Sequence, residues 1–300
     1  MNSGGSIICS HCKGNMVSLL KTKDHNRKIS EKEFVYLQCG SCGLISISEK
    51  PHDLGKYYSN EYYQIPSLGK LIKIAQAERF KIEMVKKFKT SGSLLEIGPA
   101  FGVFAYQAKE SGFKVDTIEM DKRCCEYLRD VVGVNAVLSD VPQKAVGPMK
   151  QHDVIAMWHV LEHLIDPWEC LTALTGNLSP GGILLIATPN PEAFQFKVMG
   201  AQWPHIDAPR HLNLIPREVL TGFLEKSGLE LTMFTMDDFG ARSWNRFGWQ
   251  RYLMNRFSGK WMQRIFFVMG LLLSFPMEIV DRKGFNGCAY TAIYRKKAGM

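Results

Sequence analysis

LLEIGPAFGVF, residues 94 to 104, is an apolar run that ends in an acid and then admits Gly98, Ala100 and Gly102 within five positions. The apolar half reads as a buried strand, and the residues after Gly102 read as the start of a helix. Small residues at such a strand-to-helix turn let a ligand approach the backbone and meet the N–H groups of the helix N-terminus. The stretch therefore reads as one end of a binding slot.

Outward from it, strand-like and helix-like segments alternate. SLLEIG, KVDTIEM, NAVLSD, HDVIAMW and ILLIATPN read as strands, separated by VFAYQAKESG, KRCCEYLRDVVG and PWECLTALTGNLSPGG as helix or helix and turn. Strands alternating with helices at this spacing imply crossover connections and a parallel sheet covered on both faces. A helix opening near Pro216 and stopping at Gly228, then LELTMFTM and CAYTAIYRKK as two further strands, complete the pattern. Upstream, LGKLIKIAQAERFKIEMVKKFK (68 to 89) places Leu71, Ala75, Glu78, Ile82 and Val85 at helical spacing. The expected organisation is a small cysteine-bearing module over 1–48, a linker and amphipathic helix over 49–90, and the main domain over 91–300 with a basic, aromatic helical insertion at 237–283.

In open α/β sheets ligands bind past the carboxyl ends of the strands, at the switch in strand order. Glu96, Glu119, Asp140 and Trp158 all fall at or near such ends. Glu119 lies 23 residues after Glu96, about where a nucleoside-binding sheet sets a carboxylate on a ribose diol.

EIGPAFG, the acid of TIEMD, VLSD, HVLEH and the run LSPGGILLIATPN together resemble the class I S-adenosylmethionine-dependent methyltransferases, over about residues 91 to 236 and the last strand. HVLEHLIDPW resembles the branch that includes quinone-biosynthesis O-methyltransferases and many sugar or natural-product methyltransferases. The resemblance implies an α/β fold with a doubly wound, mostly parallel, Rossmann-like sheet of seven strands. It assigns Glu96, Gly98 and Gly102 to the methionine side of the cofactor, Glu119 to the ribose hydroxyls and Asp140 to the adenine amine, with Met120 against the adenine ring. Ala100 stands where the family's G-x-G-x-G turn has its middle glycine, and is small enough for binding to be expected. Trp158 joins the cofactor slot; as with Trp203, a wall of the acceptor pocket and a place in the core are both open to it.

A sulfonium methyl donor is already activated, so the protein's main task is to hold donor and acceptor in line. A base is needed only where the acceptor carries a proton. His159 and His163 bracket Glu162, while His205, Asp207 and His211 crowd WPHIDAPRHL after the fifth strand. Histidine accepts a hydroxyl proton near neutral pH. Similarity to enzymes with histidines at both places selects His211 and His163 as the catalytic candidates.

Cys9-Ser-His-Cys12 and Cys39-Gly-Ser-Cys42 are two C-x-x-C hooks separated by 26 residues. Four thiolates on two tight turns match a closed structural zinc site, an N-terminal zinc ribbon with Cys9, Cys12, Cys39 and Cys42 as ligands. A ribbon followed by this domain resembles the sugar C-methyltransferases of nucleotide-linked deoxysugars, which share a linker like YYSNEYY (57 to 63) but carry a further C-terminal domain. Some ribosomal RNA methyltransferases also carry an N-terminal zinc module. Cys124, Cys125, Cys170 and Cys288 show no ligand spacing and read as packing residues.

The chain carries 37 basic and 29 acidic residues, a net +8 that favours nucleic acid, anionic lipid or phosphorylated metabolites without selecting among them. Six cations and no acid fall between Phe239 and Met277. In a helix continuous through Gly248 and Gly259, Arg242, Arg246, Arg256, Lys260 and Arg264 share one face and Arg251 lies opposite. With the tryptophans there, this predicts peripheral contact of 239–277 with anionic lipid; a solvated helical cover over the domain, or an RNA contact, are the competing readings. The apolar window IFFVMGLLLSFPM (265 to 277) has 13 residues, too short to span a bilayer. MNSGGSIICSHC shows no secretory pattern, which predicts a cytoplasmic protein with reduced thiols, peripheral at the inner face of the membrane where lipid is bound.

The expectation is an S-adenosylmethionine-dependent methyltransferase acting on a small-molecule or glycan acceptor, a hydroxyl of a sugar or glycolipid intermediate. The alternatives are an RNA methyltransferase and a non-catalytic zinc-ribbon adaptor with a relic fold; the HVLEH and ATPN segments make nucleic acid the weaker partner.

Overall fold

The computed structural model describes residues 7–58 and 63–298. In chain order the strands are β1 (Met16–Thr22), β2 (Phe34–Cys39), β3 (Ile45–Ile47), β4 (Gly92–Ile97), β5 (Phe113–Glu119), β6 (Asn135–Leu138), β7 (His152–Trp158), β8 (Leu178–Pro189), β9 (Asn213–Leu214), β10 (Leu229–Thr235) and β11 (Ala289–Lys296). The α-helices are α1 (Leu68–Ala77), α2 (Phe80–Lys86), α3 (Val103–Glu110), α4 (Lys122–Tyr127), α5 (Pro142–Val146), α6 (Pro167–Asn177), α7 (Phe194–Met199), α8 (Arg217–Lys226), α9 (Phe239–Asn255) and α10 (Lys260–Asp281).

Seven strands form one sheet in the order β10-β11-β8-β7-β4-β5-β6, with β11 antiparallel to both of its neighbours and the rest parallel. The central strands are apolar without alternation because both faces are covered. Leu95, Ile97, Ile155 and Met157 face Leu171, Leu174, Leu220 and Leu224 of α6 and α8. Leu94, Val154, Ala156 and Ile183 face Val85, Phe104 and Ala108 of α2 and α3. A slip of one residue in β4 would exchange these two sets, so the pairing Leu94↔Val154 is fixed by packing on both sides.

The amphipathic segment 68–89 is two helices rather than one, parted at Glu78 and Arg79. Its apolar residues serve different clusters: Leu71 and Ala75 pack with Val103, Leu128 and Val132, whereas Ile82 and Val85 pack on the sheet. One straight helix would miss one of these. Likewise the basic insertion runs unbroken through Gly248 but breaks at Gly259, whose φ of +95° is outside helical space, so the expected continuous basic face is divided between α9 and α10. α10 extends well beyond the 13-residue apolar window: at 22 residues it is, by length and composition only, apolar enough to cross a membrane.

The cysteine module is not free-standing. β1, β2 and β3 pair antiparallel, and β3 pairs in turn with β9, so the sheet order β1-β2-β3-β9 crosses the expected boundary at residue 48. Phe34, Tyr36 and Ile45 share a core with Trp203, Ile206, Leu212 and Leu214. Within the tyrosine-rich linker, residues 59–62 lie outside the described residues; Tyr57 is buried in that shared core.

Candidate active site

From the middle of the sheet the chain winds outward through β5 and β6, then returns to β7 on the other side of β4. The reversal opens a crevice between the carboxyl ends of β4 and β7. There the structure has a cavity of ≈ 1520 Å³, and Gly98, Ala100, Glu119, Met120, Asp140 and Trp158 line one end of it. His163 and His211 line the same cavity.

Three left-handed residues shape the turn after β4: Gly98 at φ +65°, Ala100 at +52° and Gly102 at +82°. Space demands glycine as well as φ. A Cβ on Gly98 would meet Val160 at 2.6 Å, and one on Gly102 would meet Leu128 at 2.5 Å. Ala100, the departure from glycine, carries a left-handed strain of about 1 kcal/mol. Its N–H donates to Glu119 Oε2 at 2.9 Å, while Glu119 Oε1 accepts from the N–H of Met120 and of Asp121, each at 2.8 Å. Burial raises the Glu119 pKa, and these three N–H donors oppose the rise.

Glu96 and Gly102 stand behind the slot, outside its wall. Burial pushes Glu96 up to about 8 despite the charge of Lys81, and its Oε2 has no hydrogen-bond partner. Met120 is half exposed on the wall and Asp140 is exposed. Trp158 sets its ring edge-on to Phe80 and Phe104, at 6.0 and 5.7 Å between centroids, with Lys81 Nζ 5.2 Å above it. Trp203, in contrast, is buried in the core shared with the cysteine module.

At the other end His163 and His211 meet edge to face, 4.6 Å between centroids. His211 Nδ1 lies 2.8 Å from the carbonyl of His205, which can only accept, so Nδ1 carries the proton and Nε2 is the basic atom. His163 Nδ1 is held in the same way by the Arg210 carbonyl at 3.0 Å, with Tyr58 Oη at 2.9 Å. Burial, with His211 alongside, pushes His163 down to about 4. Beside them is Glu162, fully buried, whose Oε2 accepts from the Thr188 hydroxyl at 3.0 Å. Burial would raise Glu162; His159, His163 and His211 outweigh it and hold the carboxyl at about 2. Glu162, His163 and His211 bring one ligand-type atom each within 4.8 Å of one another. His159, the residue after β7, at φ +57°, stacks on Trp244 of α9 at 3.9 Å, and His205 stacks on the same tryptophan at 4.6 Å.

A buried ionic network underlies this end, one that the sequence reading did not find. The Arg210 guanidinium, 0% exposed, donates to Asp24 of the cysteine module at 2.8 Å and to Asp207 at 2.7 and 2.8 Å. Asn26 Nδ2 adds a bond of 2.6 Å to Asp207. Burial would raise the Asp207 pKa, but Arg210 holds it well below the usual range. Asn26 and Arg27 from the module, Tyr58 from the linker and Arg251 from α9 complete the cavity wall. No local pattern marks these residues, since each reaches the wall through the long-range pairing of its own element.

The four cysteines converge. Cys9 and Cys42 Sγ are 3.7 Å apart, Cys12 and Cys39 Sγ 3.4 Å, and all four lie within 4.8 Å of one another. About 3.8 Å separates sulfurs placed tetrahedrally at Zn–S distances of 2.3 Å. The remaining four cysteines are buried and apart from this cluster.

A family model described as a methyltransferase domain matches residues 72–233. The chain belongs to that family. Solved structures share the fold: the putative sarcosine dimethylglycine methyltransferase of Galdieria sulphuraria superposes with a TM-score of 0.51 at 12% identity, covering 75% of this chain and 86% of that one. The [4+2]-cyclase SpnF superposes at 0.50 with 16% identity, covering 74% and 82%. Such low identities establish the methyltransferase fold alone. Among curated proteins, the ubiquinone biosynthesis O-methyltransferase of Saccharophagus degradans is 26% identical over 149 residues, 46% of this chain and 63% of that protein. Its counterpart in Dinoroseobacter shibae is 38% identical over 88 residues, 27% of this chain and 35% of that protein. The chain thus spans less than two thirds of the length of either relative.

Proposed function

We propose that this methyltransferase-family chain transfers the methyl group of S-adenosylmethionine to a hydroxyl of a small molecule, a sugar or glycolipid intermediate. The observation that carries the reading is one cavity lined by the glycine turn, Glu119 and His211, the last with Nδ1 bound to a carbonyl and Nε2 left as its basic atom. S-adenosylmethionine supplies an activated methyl group. Glu119 would take the ribose: its three backbone donors leave about one of four lone-pair directions free, on Oε2, for a hydroxyl. Met120 and Asp140 offer an apolar face and an acceptor for adenine. His211 Nε2 would take the proton that the acceptor hydroxyl gives up on methylation. Acting as base leaves His211 cationic, and the Glu162 carboxylate beside it stabilises that charge. His163, held at about 4, is a poor proton acceptor near neutral pH and instead positions His211.

The cysteine spacing supports a structural zinc held by Cys9, Cys12, Cys39 and Cys42. The named relatives support hydroxyl chemistry, since both are O-methyltransferases.

The test is methyl transfer from labelled donor to hydroxylated sugars, lipid-linked sugars and RNA, with calorimetry of the donor alone. In His211→Ala, turnover should fall by about 10²–10⁴ with donor affinity unchanged. Unchanged turnover would remove His211 as base. Labelling of RNA alone would move the acceptor to nucleic acid, and no donor affinity would leave an adaptor.

A further inference from the structure

Among the described residues one element has a large side left bare. α10 is strongly apolar along its middle, from Ile265 to Met277. Gly270, Ser274 and Asp281 face inward, and the fit against α9 is close: a Cβ on Gly270 would meet Gln250 Cα at 2.5 Å. Asp281 is tied by Trp249 Nε1 at 2.9 Å and Gln195 Nε2 at 3.2 Å. The opposite side carries Trp261, Ile265, Val268, Leu272, Phe275 and Ile279, exposed by 38% to 76%. At 100° per residue these six fall within about 80° of one another, a single stripe along the helix. A continuous apolar stripe on the side turned away from the domain meets something other than water.

The charges around the stripe select what it meets. Between residues 237 and 283 there are eight cationic and four acidic side chains, an excess that is half of the chain's +8. The acids are not open to a partner: Asp237 pairs with Arg242 and Arg282, Glu278 pairs with Arg246 and Arg282, Asp281 is buried, and Asp238 caps α9 and accepts from Thr291. Lys260 and Arg264 flank the stripe at its start, with Arg256 just before it, and Arg282 and Lys283 follow its end. Cations at both ends would set like charge on like charge if a second copy of this chain covered the stripe. An anionic surface would complement them.

We infer that α10 docks the protein on an anionic lipid bilayer, lying in the interface with the stripe from Trp261 to Ile279 in the headgroup and upper acyl region. The helix lies on the membrane rather than crossing it. Both of its ends return to the domain, through α9 and through β11, and α9 itself walls the cavity with Ser243, Trp244, Phe247 and Arg251. α9 cannot follow α10 into a bilayer without dismantling the acceptor end. The consequence is that the cavity sits about one helix diameter, roughly 10 Å, from the lipid surface. The inference uses no part of the methyl-transfer chemistry and is tested without it.

Flotation of the full chain with vesicles of phosphatidylcholine, with and without phosphatidylglycerol, reads the docking directly. Strong flotation is expected with the anionic vesicles, weakened by high salt. The variant L272E/I279E, at two exposed positions, should lose partition by more than about tenfold. K260S/R264S should lose roughly tenfold on anionic vesicles and little on neutral ones. Circular dichroism confirms that both variants are folded, and either one alone keeps the inference open to refutation. No flotation of the unaltered chain would overturn it, as would flotation that survives L272E/I279E. A concentration-dependent dimer in size exclusion that L272E/I279E dissolves, without vesicle binding, would give the stripe to a second copy instead.

Discussion

Replacing Arg210 by methionine removes the guanidinium that hydrogen-bonds both Asp24 and Asp207. Asp24 and Arg210 are both 0% exposed at the side chain, and Asp207 is 17% exposed. After the substitution Asp24 keeps the backbone N–H groups of Arg27 and Ile29, at 3.0 and 3.1 Å, and Asp207 keeps Asn26. Both lose the hydrogen-bonded guanidinium, and the charge of Arg251, which acts on both, does not replace it. Breaking a buried pair in this way costs about 3–5 kcal/mol, and two stranded carboxylates place Arg210→Met toward the upper end of that range. Urea unfolding followed by circular dichroism measures the loss. A second signature distinguishes charge from lost volume. In the variant the folded-state pKa of at least one carboxylate rises above its unfolded value of about 3.9. Such a group favours folding at low pH and loses that contribution as pH rises through the raised pKa, so the deficit relative to the parent should grow between acid and neutral pH. Asp24→Asn in the same background should recover part of the loss, with a coupling of about 1–3 kcal/mol. A deficit under about 1 kcal/mol, or one that does not change with pH, would refute the argument that this network joins the cysteine module to the domain.

Ala100→Gly relieves a left-handed alanine at the expense of unfolded-chain entropy, so a stabilisation of about 0–1 kcal/mol is expected in thermal melts, with donor affinity preserved. Cys39→Ser should abolish stoichiometric zinc by elemental analysis and render residues 7–48 more sensitive to protease; a chain that retains both zinc and protease resistance would exclude the four-thiolate site. His163 and His205 are pushed down by burial to about 4 and about 3. The unfolded chain therefore binds more protons between roughly pH 4 and 6.5, and their stabilisation is complete above about 6.5 and lost as pH falls through that window. Each histidine should contribute a slope of up to about 1.4 kcal/mol per pH unit in equilibrium unfolding, and a flat profile from pH 6.5 to 4.5 would contradict their burial as neutral groups.

The seven-stranded sheet was legible because its strands are short apolar runs punctuated by glycine and proline, a local pattern that packing on both faces imposes. The glycine turn was legible for a related reason, since Gly98 and Gly102 are fixed by φ and by Val160 and Leu128 close at hand. Helix breaks were less visible. Nothing in LGKLIKIAQAERFKIEMVKKFK signals a turn at Glu78, because the turn is set by which clusters Leu71 and Ile82 must reach. Least legible was the union of the cysteine module with the domain. It depends on a two-residue strand, Asn213–Leu214, and on Arg210 meeting Asp24 across 186 residues, neither of which leaves a periodic trace.

This division between legible and hidden parts bears on the acceptor. The family match covers residues 72–233, which include the glycine turn, Glu119, His163 and His211. Asn26, Arg27, Tyr58, Trp244, Phe247 and Arg251, all at the cavity wall, fall outside it. The proposed donor end is thus built by the shared fold, and much of the proposed acceptor end by the cysteine module, the linker and α9. Substrate preference follows the groups that touch the substrate. Exchange of the outer elements should accordingly change which hydroxyl is accepted while leaving donor affinity in place, whereas substitutions at Glu119 should do the reverse. The same division relates the proposed zinc site to the inferred lipid contact: through Asp24 and Arg210 the cysteine module braces the cavity from one side, α9 walls it from the other, and lipid contact by α10 would hold that brace beside the membrane.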